Sequence, residues 1–446
     1  MEIGRMVRRS LNTAYVIPAC AWERQMPWAP PWLLRALQQI RFRLMIRHAW
    51  KHVPFYREAM RALGLSPADF RRPADLHKLP LINNETLRED PARFHSERFD
   101  PATDTLMKVG NYKRIYWSKK AALQWFARLS RNRAVLNRLL GVNSGYIEVH
   151  IQPQNNANYV LNRFWSENLL FRGRAGGRRV FDTNDPYPAT LEALNEIRPD
   201  IVYSFGSHTE RFFRYIQNHG MKLDPPRIWV YGSDMMSPGT RELIEENYGC
   251  IVYSAYSMNE MGAFAFACEE RKGFHLNTDA CHVRIADENG NSLPDGVEGE
   301  IVISNLVNKA TVLLNYRTGD RGMISPRPCP CGRTLPLLED LQGRISDTLH
   351  CADGRDISFM LVLVSCGPYL ARVSSFQVVQ ERRGNICWHL VPFPDTDREG
   401  VAAGLRIETE KTAPPPNEIE VRWVERIEMT PSQKRKFVVH RFVPEE

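Results

Sequence analysis

No run in this sequence approaches the roughly 20 apolar residues needed to cross a bilayer, which excludes a membrane-spanning helix. Internal repeats and low-complexity tracts are also absent, and 43% hydrophobic with 25% charged residues leaves little room for extended disorder. There is no dedicated basic tail. Lys and Arg are spread along the chain beside acidic residues, so the formal charge of +8 does not point to nucleic acid. It suits an anionic small substrate or an acidic carrier protein instead. The nine cysteines are odd in number and unevenly spaced, which argues against a disulfide framework and for reduced thiols in the cytoplasm.

What is present is a chain of 446 residues, long enough for two or three domains. Its first residues, "MEIGRMVRRSLNTAYVIPACAW", imitate a signal peptide, but Ser10, Asn12 and Thr13 break the apolar run. Residues 33–63 carry helical spacing interrupted at Pro54, and a capped helix is expected to begin near Asn84. From about residue 198 short apolar strands alternate with helices: "DIVYSF", "SHTERFFRYIQNHG", "RIWVYG", "SPGTRELIEENYG" and "CIVYSAY". That alternation predicts a parallel sheet covered by helices, with ligands gathering at the loops after the strand C-termini. The chain then becomes strand-rich, with "DENGNS" as a hairpin turn. A domain boundary is expected near Leu341–Asp347, dividing a large unit 1–342 from a small unit 343–446.

Two groups of residues could carry chemistry. Cys268 and His275 of "CEERKGFH", with Cys329 and Cys331 of "CPCGR", offer three thiolates and one imidazole, the donor set of a closed structural zinc site. The competing reading is unconnected buried thiols. The second group lies in "YSMNEMG", "NYRTGD" and "QGRISD", each placing a charged or aromatic side chain beside glycine on a predicted loop. There Glu260 could hold Mg²⁺, Asp320 could accept hydrogen bonds from ribose hydroxyls, and Tyr256 could stack on a base.

Together with "HVPFYREAMRALGLSPADFRRPADLHKLPLI", "YGSDMMSPGTRELIEENYG", "GVEGEIVISNL" and "MTPSQKRKFV", these segments occur in an order that resembles the adenylate-forming ligases, in particular their phenylacetate–coenzyme A ligase-like branch. The resemblance runs from about residue 45 to 440. It implies an α/β fold with a large N-terminal domain of helix-covered sheets and a small, mobile α+β C-terminal domain. It also implies ATP-dependent activation of a small carboxylic acid as an acyl-adenylate, then transfer to coenzyme A, a carrier-protein thiol or an amine, in a biosynthetic pathway. Alternatives on the same scaffold are amide formation from an already activated acyl group, and a non-catalytic binding protein; a homodimer is compatible with any of them.

By position in the motifs, Gly232 and Ser233 would line the adenine pocket, Tyr256 would stack on adenine and Glu260 would bind Mg²⁺. Asn259 stands where the family has a threonine that contacts phosphate. Asp320 would hold the ribose with Arg344 near it, Asp347 would be the hinge, and Lys434 would approach the acyl phosphate, with Lys436 as its rival. The four Cys and His positions match a zinc site of this branch. The family's Ser-, Thr- and Gly-rich phosphate loop should precede "IYWSKKAAL". Here "KVGNYKR" is shorter and lacks the hydroxyls, so Lys108, Lys113 and Arg114 would have to serve as point charges. His208 and Asn155 are candidates to contact a carboxylate, with solvated loop residues as the plainer reading.

Overall fold

In the computed structural model of the protein the first long element is helix α1 (Glu2–Gln25), followed by α2 (Pro31–His52), α3 (Pro54–Ala62) and α4 (Asn84–Glu89). Then come β1 (Thr105–Gly110), β2 (Lys113–Ser118), α5 (Lys119–Leu140), β3 (Glu148–Ile151), α6 (Ala157–Asn168), β4 (Arg178–Phe181) and α7 (Tyr187–Ile197). The alternating region holds β5 (Ile201–Phe205), α8 (Gly206–Asn218), β6 (Ile228–Gly232), α9 (Pro238–Tyr248) and β7 (Ile251–Ala255). Strands β8 (Ala265–Ala267), β9 (Phe274–Leu276), β10 (Cys281–Ala286), β11 (Gly299–Asn305), β12 (Tyr316–Ile324) and β13 (Leu337–Glu339) follow. The chain closes with β14 (Thr348–His350), β15 (Asp356–Ser358), α10 (Phe359–Leu370), β16 (Val373–Gln380), β17 (Asn385–Pro392), α11 (Arg398–Thr412), β18 (Glu418–Trp423) and β19 (Val438–His440). The structure describes residues 2–110, 113–153, 157–170, 178–339, 341, 347–429 and 435–442, with side chains left out at a few of these, including 107–110 and 113–114. Among the described residues no helix is long and apolar enough to cross a membrane.

The chain divides into two units. The first comprises Met1–Gly145, Asn155–Gly176 and Ala255–Leu341; the second Tyr146–Gln154, Gly177–Ser254 and Gln342–Glu446.

In the first unit a six-stranded antiparallel sheet in the order β10-β11-β12-β13-β9-β8 is accompanied by the N-terminal helices and α5. The expected break at Pro54 is real: Val53 is extended, and Pro54 opens α3, where its missing N–H costs no helical hydrogen bond. Asn83 caps α4 by accepting from Thr86 N, one residue before the expected start. The stretch that imitates a signal peptide is the amphipathic helix α1, whose buried residues include Thr13, Val16 and Glu23.

Glu23 belongs to a buried charge cluster that ties this unit together. Arg131 of α5, 1% exposed, donates from Nε to Glu23 Oε2 at 2.7 Å, and its Nη1 and Nη2 reach the two carboxylate oxygens of Asp279 at 2.8 and 3.0 Å. Nη1 also donates to Asn277 Oδ1 at 2.7 Å, and Arg41 of α2 donates to Asp279 Oδ2 at 2.8 Å. Burial pushes the Asp279 carboxyl up, but the guanidiniums of Arg131, Arg128 and Arg41 outweigh it and hold the group below the usual carboxylate range.

The second unit contains the predicted parallel sheet, in the order β4-β3-β5-β6-β7. Its core packs Phe212, Phe213 and Trp229 between α8 and the strands. The same unit holds residues 342–446, in which a four-stranded sheet, β18-β17-β16-β19, packs with α10 and α11 around Trp388 and Phe376. Glu210 of α8, fully buried, accepts from Arg435 Nη2 at 2.8 Å and pairs with Arg214. The Arg435 guanidinium lies 4.2 Å from the Phe376 ring and 4.3 Å from the Phe437 ring.

Removing one partner of a buried ion pair leaves an uncompensated charge, so Asp279→Ala is expected to cost about 3–5 kcal/mol in urea unfolding at pH 7. Because the folded-state pKa of Asp279 is depressed, its contribution is present above the unfolded carboxylate pKa of about 4 and is lost as pH falls through the folded value. Wild type should therefore lose more stability than Asp279→Ala as unfolding is repeated at progressively lower pH below about 4.

Candidate functional site

Local sequence dictates where the motif residues sit. Strand β7 ends at Ala255, and the loop "YSMNEMG" turns back on itself through a bridge between Met258 and Gly262. Gly262 has φ of 71°, and a Cβ there would stand 2.8 Å from Trp117 Cη2 and 3.2 Å from Trp125. Only glycine meets both demands. Trp117, on β2, also donates from Nε1 to the carbonyl of Asn259 at 3.1 Å. The loop carrying Tyr256, Asn259 and Glu260 is thus clamped by two tryptophans whose rings are 4.6 Å apart.

Opposite this loop, Asp320 lies on β12, two residues after Thr318, whose hydroxyl accepts from the Asp320 N–H at 3.0 Å. The Tyr256 hydroxyl donates to Asp320 Oδ2 at 2.7 Å, and the Tyr256 ring meets Phe264 edge-on at 4.8 Å. Two residues 64 positions apart, picked out singly in the sequence for base and ribose, are therefore direct neighbours. Glu260 is buried on the same loop.

Gly232 and Ser233 belong to the second unit. Gly232 ends β6 and Ser233 follows with φ of 72°, a left-handed conformation that a non-glycine residue adopts at a cost. The next residue, Asp234, accepts from Ser207 N at 3.2 Å and Ser207 Oγ at 2.5 Å. Gly206 makes this approach possible, since a Cβ there would lie 2.6 Å from the Asp234 carbonyl oxygen. His208 is corrected by the structure. It sits in α8, 1% exposed rather than in a solvated loop, with Nδ1 2.9 Å from Ser204 Oγ, and burial lowers its pKa to about 3.

Cys268, His275, Cys329 and Cys331 do converge: their ligand atoms all lie within 4.8 Å of one another. His275 Nε2 is 3.2 Å from Cys331 Sγ, and Cys268 Sγ is 3.6 Å from Cys329 Sγ. His275 Nδ1 faces the Leu335 carbonyl at 3.1 Å, which leaves Nε2 toward the Cys331 thiol. Burial lowers the His275 pKa to about 4, keeping the imidazole neutral. The "CPCGR" turn is fixed by Arg333, which pairs with both Glu269 oxygens at 2.6 and 2.9 Å and lies 4.6 Å from the Trp28 ring.

The stretch expected at the phosphate loop is an antiparallel hairpin, with Thr105 opposite Ser118 and Gly110 opposite Lys113. Along such a ladder the N–H groups alternate sideways instead of converging on one anion. The side chains of Lys108, Lys113 and Arg114 lie outside the described residues, as do Asn155, Arg344 and Lys434. Lys436 is described and exposed; its carbonyl accepts from Gln377 Nε2 at 2.9 Å. Asp347, the expected hinge, accepts from Val438 N at 3.5 Å.

Sequence reasoning missed Asn305 and Asn308. Asn308 donates to the Tyr116 carbonyl at 2.8 Å and accepts from Ser118 N at 3.3 Å, while Asn305 accepts from Val307 N and Asn308 N, both at 2.9 Å. Two asparagines three residues apart after a strand, "SNLVN", were the only available signal.

Residues 167–308 match the family described as AMP-binding enzyme. The chain is 23% identical over 348 residues to phenylacetate-coenzyme A ligase of Thermus thermophilus, covering 74% of each chain. It is 22% identical over 340 residues to the same enzyme of Escherichia coli, covering 71% of this chain and 72% of that one. Among solved structures, a 2-hydroxyisobutyryl-CoA ligase in complex with 2-HIB-AMP superposes with a TM-score of 0.74 at 18% identity, over 93% of this chain and 91% of that one.

Gly262→Ala is expected to destabilise the protein by about 1–3 kcal/mol, from overpacking against Trp117 and the left-handed backbone. Near-UV circular dichroism of the tryptophans should change with it; an unaltered spectrum and melting temperature would contradict the clamp.

Proposed function

We propose, from the premise that this chain is a member of the adenylate-forming ligase superfamily on its phenylacetate–coenzyme A ligase-like branch, that it activates a small carboxylic acid with ATP and passes the acyl group to a thiol or amine. The observation that carries this reading is the 2.7 Å contact between Tyr256 and Asp320, with Glu260 on the same clamped loop. In this reading Tyr256 stacks on adenine, Gly232 and Ser233 border that pocket, and Asp320 receives the ribose hydroxyls with Arg344 near it. Glu260 holds Mg²⁺, an ion that favours hard oxygen ligands.

The carboxylate oxygen attacks the α-phosphorus of ATP and the bond to pyrophosphate breaks. Negative charge grows on the phosphate oxygens, and Lys434 offsets it. The thiol of coenzyme A or of a carrier protein, or an amine, then displaces AMP. The reaction belongs in the cytoplasm, in a biosynthetic pathway, with residues 343–446 as the domain that moves between the two steps. The hairpin at 105–118 favours a second reading, acyl transfer to an amine or thiol without adenylation, because that chemistry needs no grip on pyrophosphate.

The two readings separate in a pyrophosphate-exchange assay across aryl and alkyl acids. The first requires acid-dependent exchange, abolished by Lys434→Ala while consumption of a supplied acyl-adenylate persists; equal loss of both rejects that role for Lys434.

We further propose that Cys268, His275, Cys329 and Cys331 hold a structural zinc ion. The donor set is that of a Cys₃His site, all four positions are filled by protein, and the carbonyl of Leu335 supports the imidazole. Zinc there would brace the sheet edge formed by β8 and β9. Purified protein should contain one equivalent of zinc, and Cys329→Ser should lower both zinc content and melting temperature. Less than half an equivalent in wild type would reject the site.

A further inference from the structure

Arg128 lies on α5 one turn before Arg131 and is 7% exposed, yet it is poorly engaged. Its ion pair with Glu23 is 3.7 Å long, and its Nε has no hydrogen-bond partner. Its carboxylate neighbours are largely taken by other arginines. Arg41, Arg128 and Arg131 face two carboxylates, Glu23 and Asp279, and Asp279 is fully engaged by Arg131 and Arg41. Burial lowers the Arg128 pKa by desolvation, with the charges of Glu23 and Asp279 acting against it.

Arg128 lines a cavity of about 90 Å³ beside Tyr256. Arg131 and Asn277 share the buried side, and exposed Ser257 stands at the mouth. That is room for several water-sized groups, enough to admit a carboxylate. A guanidinium lining such a cavity matches a carboxylate in both charge and geometry. The cavity is also lined by the side chain placed against the nucleotide, so a ligand held there is next to the acid-activating loop.

We propose that this cavity is a carboxylate-binding subsite with Arg128 as its ligand, and that the acid activated by this chain is a dicarboxylate whose second carboxylate docks there. The subsite stands on the geometry alone; the identity of the substrate rests on the ligase reading above.

The test uses matched acids, butyrate against succinate, hexanoate against adipate and benzoate against terephthalate, in calorimetric binding without ATP and in pyrophosphate exchange. Wild type should bind the dicarboxylates more tightly than their monoacid partners, and Arg128→Gln should weaken dicarboxylate binding at least about tenfold, the effect of losing one charge-assisted hydrogen bond. Ala265→Leu fills the cavity while leaving Arg128 in place and should remove the same preference, which separates loss of the subsite from loss of folding. In exchange, both variants should raise the ratio of dicarboxylate KM to monoacid KM by a similar factor. Equal affinity of wild type for the two classes, or a preference that survives both substitutions, overturns the proposal. Dicarboxylate binding that depends on Arg128 with no exchange on any acid keeps the subsite and sinks the ligase reading instead.

Discussion

Arg131 is the residue on which the first unit depends. Its guanidinium reaches Glu23 of the N-terminal helix, Asn277 and Asp279, while Arg41 of α2 closes on Asp279 from another side. Four segments far apart in sequence meet at one buried group. Burying this much charge is expensive, and it is tolerated because nearly every donor of Arg131 finds an oxygen at hydrogen-bond distance. The contacts leave few other ways to pack α1, α2 and α5 against the segment between β9 and β10. Arg131 and Asn277 also line the cavity beside Tyr256.

The second unit repeats the device with different residues. Glu210 takes Arg214 and Arg435 together, and burial of the carboxylate is outweighed by the two guanidiniums, which keep it ionised. Arg435 stacks between Phe376 and Phe437. It directly follows Lys434 in the sequence. In each unit a buried arginine anchors a segment next to a motif that the resemblance assigns to ATP chemistry.

Strand β2 has a structural task of its own. Trp117 holds the Asn259 carbonyl and packs against Gly262, and Asn308 binds the backbone on both sides of Trp117. The strand that follows the expected phosphate loop therefore positions the loop that carries Glu260. The retained "YWSKKAA" thus has a structural reason: it supports the motif loop through Trp117.

The sequence by itself determined the elements whose signal is local. The alternation from residue 198 onward gave β5, α8, β6, α9 and β7 close to their observed ends, because hydrophobic period and glycine punctuation are properties of neighbouring residues. The ordered motifs were enough for the resemblance, and the Cys and His spacing was enough to nominate a metal site. Tertiary structure decided what depends on residues far apart. It brought the Tyr256 hydroxyl onto Asp320, buried His208 where the plainer reading was a solvated residue, and turned a faint signal-peptide imitation into the helix that presents Glu23. It also left Arg128 with an unused donor. No local pattern reports a charge balance, because the carboxylates and guanidiniums that enter it are separated by up to 256 positions, from Glu23 to Asp279.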